Sequence, residues 1–302
     1  MPPLTTQARA KLNLWLTVGE KRADGYHEIE TVMQRVSLCD LVSLTLNPPR
    51  GEKKIAVHAS DPSLPTDRRN IVWKCAEAFF EACGIGEYDV FIDIEKHIPS
   101  AAGLGGGSVD GAATLFLLNR RFHTHLPTGV LCDIGAKVGA DIPFCASGYS
   151  RCVCRGKGEI LSPPMQVSFD AAQGLPVPLC SCAAVIAKPP ALSVSTAEAY
   201  RMLDVTPPSS SDRIPREEGF SKLCAEIRAG EIPRTLRNDF ERIAPPEIFA
   251  LKEKLNSLGA VSSLMSGSGP SVYGLFAGFS EAEAARDALA AEGLGAWAVR
   301  LI

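Results

Sequence analysis

No stretch of the 302-residue chain approaches the ~20 consecutive apolar residues that a membrane span requires. Nor does one sign of charge dominate: 31 lysines and arginines stand against 34 aspartates and glutamates, a formal net charge of -3. Without a basic field, nucleic acid is not an expected partner. The opening segment, MPPLTTQARAKLNLWL, lacks the layout of a secretory signal, because its apolar part is short and alternates with polar residues. A cytoplasmic location is therefore expected. Two familiar nucleotide signatures are missing as well. The glycine cluster GLGGGS is not followed by Gly-Lys-Ser/Thr, and its glycines lack the G-x-G-x-x-G order.

What remains is the profile of a globular protein, with 46% apolar and 22% charged residues. A chain of this length buries roughly three quarters of its unfolded surface and needs no covalent staples. Two modest domains fit the length. Proline becomes frequent after GYSRCVCRGKGEILSPP, which puts the expected boundary near residue 160 and divides the chain into 1–160 and 161–302. The ten cysteines are scattered, with two CxC pairs, Cys152/Cys154 and Cys180/Cys182. A four-sulfur zinc site is one reading of those pairs. In an extended segment, however, i,i+2 spacing puts both sulfurs on one strand face, where cysteine acts as a small apolar residue. Buried thiols are the expectation.

The patterning predicts strands at AKLNLWLTVG, DLVSLTLN and KKIAVHAS, with EKRADGYHE as a polar loop and PPRGE as a turn. NIVWKCAEAFFEACGIG reads as a helix capped by Asn70 and stopped by glycine. YDVFIDIEK is a strand, VDGAATLFLLNRRF a helix and TGVLCDIGAKVG a shorter helix ending at GADIPF. Further on, CSCAAVIAKPP reads as a buried strand of a second sheet, and DVTPPSSSDRIPREEG as a mobile polar loop. The last sixty residues alternate: helix PPEIFALKEKLNSLG, strand AVSSLM, loop SGSGPS, strand VYGLF, helix SEAEAARDALAAEG and strand AWAVRLI. That order argues for an α+β or split βαβ arrangement.

The segment IPSAAGLGGGSVDGAATLFLLNR carries the first chemical signal. Backbone N–H groups at a helix start present the positive end of the helix dipole, and glycines let an anion approach them. Gly103, Gly105, Gly106 and Gly107 provide that access, and Ser108 adds a hydroxyl. Alone, the segment fits either a phosphate cradle or a tight strand-to-helix turn. Two other segments add weight to the cradle. AKLNLWL places Lys11 and Asn13 on one strand face. VGADIPF presents Asp141 after a helix and before a proline. A lysine beside an aspartate is the pairing expected for phosphoryl transfer to an alcohol: the cation favours the carboxylate, which orients or deprotonates the hydroxyl. Each residue alone would read as an ordinary surface charge.

Three segments in order, AKLNLWL, PSAAGLGGGSVDGAA and MSGSGPSVYGLF, resemble the motifs of the GHMP kinases, and the resemblance covers nearly the whole chain. RADGYHE, together with IEKHIP, GADIPF and RNDFE, is similar to the branch of that family whose acceptor is a cytidylated sugar alcohol. The resemblance implies a two-domain α+β fold, with an N-terminal domain like ribosomal protein S5 domain 2 and a ferredoxin-like, split βαβ C-terminal domain. It implies ATP-dependent phosphorylation of the 2-hydroxyl of cytidylated methylerythritol, in the non-mevalonate route to isoprenoids. Lys11 and Asp141 then take the catalytic roles, Asn13 contacts the sugar alcohol, and Tyr26 and His27 hold the cytosine by stacking and hydrogen bonding. Asn70, Ile71 and Lys96 fall where the adenine nucleotide is approached. Pro99, Ser100, Ala101, Ala102, Gly103, Leu104, Gly105, Gly106, Gly107, Ser108 and Val109 match the ATP-phosphate loop. Ser266 to Ser271 would close the cleft from the second domain. Mg2+ is implied, with Ser108 as its candidate side-chain ligand. The implied partner is a small molecule, with neither nucleic acid nor membrane, and the implied state is a monomer or weak homodimer.

The chain departs from the family pattern at three places. Ala101 stands at the first loop glycine and Ala102 adjoins it, so the early cradle is expected to be less open, since a methyl group disfavours φ > 0. Val109 replaces a second serine and removes a hydroxyl. Two other functions compete: a GHMP kinase acting on another alcohol or phosphate acceptor, and a catalytically silent nucleotide-binding protein. Tyr26 and His27 bear on the first, since only a base-bearing acceptor needs them; Lys11 and Asp141 together bear on the second.

Overall fold

The computed structural model describes residues 2–48, 51, 53–162, 182–190, 192, 194–206 and 215–302, and the backbone of 169–170 and 175–176. In chain order the elements begin with β1 (Leu4–Lys21), β2 (His27–Asn47), β3 (Lys53–Ala59), α1 (Ile71–Cys83), β4 (Tyr88–Glu95) and α2 (Gly106–Arg121). Next come α3 (Thr128–Ala136), α4 (Ile142–Ser147), β5 (Arg151–Arg155), β6 (Ile160–Leu161), β7 (Phe169–Asp170), β8 (Leu175–Pro176) and β9 (Ala183–Lys188). They are followed by α5 (Thr196–Val205), α6 (Arg216–Arg228), β10 (Arg237–Asn238) and a 3-10 turn at Asp239–Ile243. The chain closes with α7 (Pro246–Ser257), β11 (Ser262–Met265), β12 (Val272–Phe276), α8 (Phe279–Ala291) and β13 (Gly295–Arg300).

The first sheet runs β10-β1-β2-β4-β3, with β5 and β6 attached beside β2. β2 is far longer than its last third, DLVSLTLN, which alone reads as strand in the sequence. It begins at His27, so the EKRADGYHE loop shrinks to Arg22–Tyr26. The reason is pairing on both edges: β1 along one side, β5 at residues 31–34 and β4 at 41–47 along the other. Two register shifts in the β1–β2 ladder, between Arg9 and Lys11 and between Asn13 and Trp15, bracket the Lys11–Asn13 segment. Such irregularities re-aim side chains, and here they deliver Lys11 and Asn13 into the interior beside the glycine loop.

α1 is capped as its sequence predicts. The Asn70 side chain accepts from the Val72 amide, and Gly84 ends the helix at φ 64°. α2 packs its small, apolar face, including Ala112, Ala113, Leu115 and Leu118, against β1, β2 and α1.

The second sheet runs β11-β12-β9-β13, all antiparallel. Its two-residue period divides it cleanly. Val185, Ala187, Val272 and Phe276 face α7 and α8, whereas Ala184, Ile186, Tyr273 and Leu275 pack into the core of the first sheet. Mixed helices and strands in two sheets match the expected α+β class. Two helices escape a sequence reading. α5 and α6 lie either side of the segment read as one polar loop, so Asp204 and Val205 are helical, as are Arg216 to Gly219. Residues 207–214 of that loop, and parts of PPRGE, lie outside the described residues.

Cys152 and Cys154 are both buried on β5, while Cys180 lies outside the described residues. Among the described residues, no group of three or more histidines, cysteines and carboxylates is placed to hold a metal ion, and no helix is long and apolar enough to cross a membrane.

The RNDFE segment is the mechanical junction between the two sheets. β10 pairs in parallel with Trp15 and Leu16 of β1. Buried Asp239 accepts from the Val18 amide at 3.0 Å, Arg216 at 2.8 Å and Arg237 at 2.9 Å. Asn238 donates to the Met265 and Gly267 carbonyls, and Glu241 accepts from the Met265 amide. Asp239→Ala would strip a buried strand amide and two arginines of their shared acceptor. The expected cost is about 3 kcal/mol, read as a lower midpoint in urea denaturation.

Candidate active site

The sheets, α2 and α5 enclose a cleft of about 700 Å³. Pro99 to Ser108 line it continuously, and so do Lys11, Asn13, Tyr26, Asn70, Ile71, Lys96 and Asp141. From the second sheet come Gly267 and Ser268 of the SGSGPS loop.

α2 begins at Gly106, with Gly105 as its N-terminal flank at φ 73°. The first amide bound inside the helix is that of Val109, which donates to the Gly105 carbonyl. The amides of Gly106, Gly107 and Ser108 therefore face outward at the positive end of the helix dipole, as an anion site requires. A Cβ at Gly107 would meet the Ile71 side chain at 3.1 Å, a tight contact.

The three departures in the loop behave differently from expectation. Ala101 adopts φ 51° in spite of its methyl group. The left-handed turn is thus kept, at a local strain of about 1–3 kcal/mol. Ala102 is buried against the core while still forming part of the cleft wall. Val109 likewise points into the core and does not line the cleft, because it occupies the first turn of α2 on the inward side.

Lys11 is almost fully buried, and its ammonium is held at three points. It donates to Asn13 Oδ1 at 2.7 Å and to the Gly103 carbonyl at 3.2 Å, and lies 3.4 Å from Asp141 Oδ2. Asn13 is fixed in turn by donating to Thr31 Oγ1, which donates to the Trp15 carbonyl. The backbone of Asn13 accepts from the buried Tyr273 hydroxyl of the second sheet. Asp141, at the residue before α4, keeps 28% of its side chain exposed toward the cleft. The pair thus joins an immobilised cation to an accessible carboxylate.

Asn70 is committed to helix capping, since its amide also donates to the Pro65 carbonyl. Lys96 is not a free cation. Its ammonium is buried between Asp40 and Asp110, the latter at 2.8 Å, while Asp40 also accepts from the amides of His97 and Ile98. The cluster ties β2, β4 and α2 together directly behind the cradle. The two carboxylates raise the Lys96 ammonium's pKa even against its burial. Burial, with Asp40 close by, pushes the Asp110 carboxyl up to about 7, and its Oδ1 has no partner.

Tyr26 is 55% exposed and lines the cleft. His27, predicted beside it, does not. Its ring turns to the far side, with Nδ1 at 3.2 Å from the Gly19 carbonyl and Nε2 at 3.0 Å from Asp204. Adjacent residues at a strand start point to opposite faces, which separates the pair. The ring nonetheless backs the site through Tyr200, on which it stacks at 5.3 Å. Tyr200, Thr196 and Lys157 also line the cleft and carry no sequence motif that could have announced them, whereas Phe240 lies within RNDFE. Asp110 was legible in principle, as an acid at the start of an otherwise apolar helix.

Gly103 is where the loops meet. Its carbonyl also accepts from Ser266 Oγ at 3.0 Å, and a Cβ at Gly103 would fall 2.0 Å from the Ser266 carbonyl oxygen. With φ at 73° as well, Gly103→Ala should destabilise the protein by about 3 kcal/mol or more and weaken nucleotide binding. Thermal melts with and without nucleotide check both. Asp110 generates a second expectation. Its folded carboxyl, at about 7, lies above the ordinary 3.8, so the native state holds a proton that the unfolded chain has lost. Its contribution to stability is full below pH 3.8 and is lost as pH rises through about 7. In metal-free protein, Asp110→Asn should flatten that decline in urea midpoints.

Residues 70–149 match the family described as GHMP kinases N terminal domain, and residues 220–294 match GHMP kinases C terminal. A 4-diphosphocytidyl-2-C-methyl-D-erythritol kinase from Synechococcus sp. (strain JA-2-3B'a(2-13)) is 38% identical over 96% of this chain and 90% of its own. The enzyme of that name from Macrococcus caseolyticus is 39% identical over 93% of each. A crystal structure of 4-(cytidine 5'-diphospho)-2C-methyl-D-erythritol kinase superposes with a TM-score of 0.73, at 32% identity and 99% coverage of both chains. With identity of this order carried along nearly the whole length, the chain belongs to the GHMP kinase family and groups there with the 4-diphosphocytidyl-2-C-methyl-D-erythritol kinases.

Proposed function

We propose that this chain transfers the terminal phosphoryl group of ATP to the 2-hydroxyl of 4-diphosphocytidyl-2-C-methyl-D-erythritol. The observation that carries the reading is the Lys11–Asp141 pair at the edge of the α2 cradle, with the lysine pinned by Asn13 and Gly103. Likeness along nearly the whole length to kinases of that name, at 32–39% identity, supports the acceptor.

In this reading the amides of Gly106 to Ser108 take the nucleotide phosphates, and the loop from Pro99 forms the wall, with Asn70 and Ile71 on the nucleotide side. Asn13 positions the polyol. Asp141 accepts a hydrogen bond from the acceptor hydroxyl and takes its proton as the oxygen attacks phosphorus. Lys11 stands beside the transferring group and offsets the negative charge on its oxygens. Tyr26 and Tyr200 offer aromatic faces for the base, and His27 supports Tyr200 from behind.

The donor set suits a nucleotide-borne Mg2+, which keeps most of its ligands as phosphate oxygens and water. Ser108 would hold it from the protein side, and the unpartnered Asp110 oxygen lies two residues further along α2. When bound, the ion neutralises the polyphosphate. The division near residue 160 belongs to the same reading, as do a cytoplasmic setting, small-molecule partners and a monomeric or weakly dimeric state. In support of the boundary, the chain leaves the first sheet after β6 and returns to it only at β10.

The test is ADP release with the cytidylated acceptor and with the uncytidylated polyol. Rapid turnover of the first alone supports the assignment; equal rates on both would overturn it. Asp141→Asn should lower kcat by about 10²-fold or more, the scale of general-base contributions. Steady-state kinetics that leave kcat intact would reduce Asp141 to a positioning group.

A further inference from the structure

Four cationic side chains line the cleft: Lys11, Arg69, Lys96 and Lys157. Three are already neutralised. Lys11 has Asp141 at 3.4 Å, Lys96 has Asp110 at 2.8 Å, and Arg69 has Asp67 at 2.9 Å. Among the described residues, Lys157 alone of the four has no carboxylate within 4.0 Å of its ammonium. Its Nζ stands over the Tyr26 ring, 4.7 Å from the centroid.

The surrounding acids are all committed elsewhere. Glu159 accepts from the Lys157 amide, Glu28 from Arg22 and the Gly156 amide, and Glu30 from Arg155. Asp204 faces Lys21 and His27. Lys157 also sits on a rigid support. Its turn between β5 and β6 has Gly156 at φ 73° and Gly158 at φ 124°. The turn is tied to the start of β2 by the bond from the Ile29 amide to the Gly156 carbonyl, at 2.7 Å. On its other side it lies against Ala140, whose carbonyl oxygen is 3.5 Å from where a Gly158 Cβ would be. Lys157 therefore stands between Tyr26, an aromatic face suited to a base, and the residue preceding Asp141.

An unneutralised ammonium inside a substrate cleft calls for an anion. We propose that Lys157 is a specificity-determining residue that binds the diphosphate of the acceptor, the anionic link between a base at Tyr26 and a hydroxyl at Asp141. The inference rests on the proposed acceptor and adds the group that recognises its phosphates. It explains why a cation is held in the acceptor half, away from the helix start that serves the nucleotide. The Tyr26 face holds the ammonium in place before the substrate arrives.

The test is calorimetric, with a non-hydrolysable ATP analogue saturating the nucleotide site and cytidine or CDP as probe. Wild type should bind CDP at least about tenfold more tightly than cytidine, the scale of one charge-assisted contact. Lys157→Met keeps the apolar stem and should erase that preference by weakening CDP alone; Lys157→Arg should retain most of it. In turnover, the methionine variant's loss should fall on the KM of the acceptor and not on that of ATP. A CDP-to-cytidine ratio unchanged in Lys157→Met overturns the inference and leaves the proposed acceptor standing. Wild type binding neither probe overturns both. Equal weakening of the two probes, with a lowered melting temperature, would make Lys157 a packing residue and also overturn it.

Discussion

The backbone of Gly103 is the constraint on which the site depends. One carbonyl oxygen accepts from the Lys11 ammonium and from the Ser266 hydroxyl, so the lysine, the glycine loop and the SGSGPS loop converge on a single atom. No side chain is tolerated there, because the Ser266 carbonyl occupies the place of a Cβ. The same contact joins the two sheets, as Ser266 follows β11 directly. Registry between the phosphate cradle and the catalytic pair is also fixed through the backbone, since the Lys11 amide donates to the Leu104 carbonyl at 3.0 Å. The RNDFE junction reinforces it from the other end, with Asn238 holding the Met265 and Gly267 carbonyls.

Behind the cradle, charge is arranged to be silent. Lys96 lies between two buried acids, and a buried cation left alone would be costly. Its placement is best understood as support: it ties the end of β4 to β2 and α2 and leaves the outward amides of α2 to meet the anion. This differs from the role the sequence suggests, a lysine near the nucleotide, since the ammonium is consumed by Asp40 and Asp110. Burial, with Asp40 close by, raises the Asp110 carboxyl, one of whose oxygens is unpartnered; Asp40 itself accepts two backbone amides.

Local rules made much of this legible. Asn70 and Gly84 mark the ends of α1, the two-residue period puts Lys11 and Asn13 on one face, and glycines mark the start of α2. What local rules miss is pairing at a distance. β2 was truncated in the sequence reading because its middle is held by β5, which follows more than a hundred residues later. The pairing of Lys96 with Asp40, 56 residues away, is of the same kind. Tyr26 and His27 looked like one unit, yet strand alternation sends them to opposite faces. Ala101 shows the reverse error: a local preference was overruled, because the loop on either side of it is fixed by Asp61 at Ser100 and by Ser266 at Gly103.

These facts divide the cleft by how it treats negative charge. At the nucleotide end, backbone amides and a helix dipole do the recognition, which suits any polyphosphate and demands no particular side chain. Between the two proposed substrate positions stands Lys11, paired with Asp141 at 3.4 Å. At the proposed acceptor end the cleft is lined by side chains on loops and turns: Tyr26 on the loop before β2, Lys157 between β5 and β6. Such turns can change without disturbing the sheets beneath them. In the proposed reading, such a scaffold holds the transfer machinery through contacts that converge on Gly103 and leaves the identity of the acceptor to a few residues on turns.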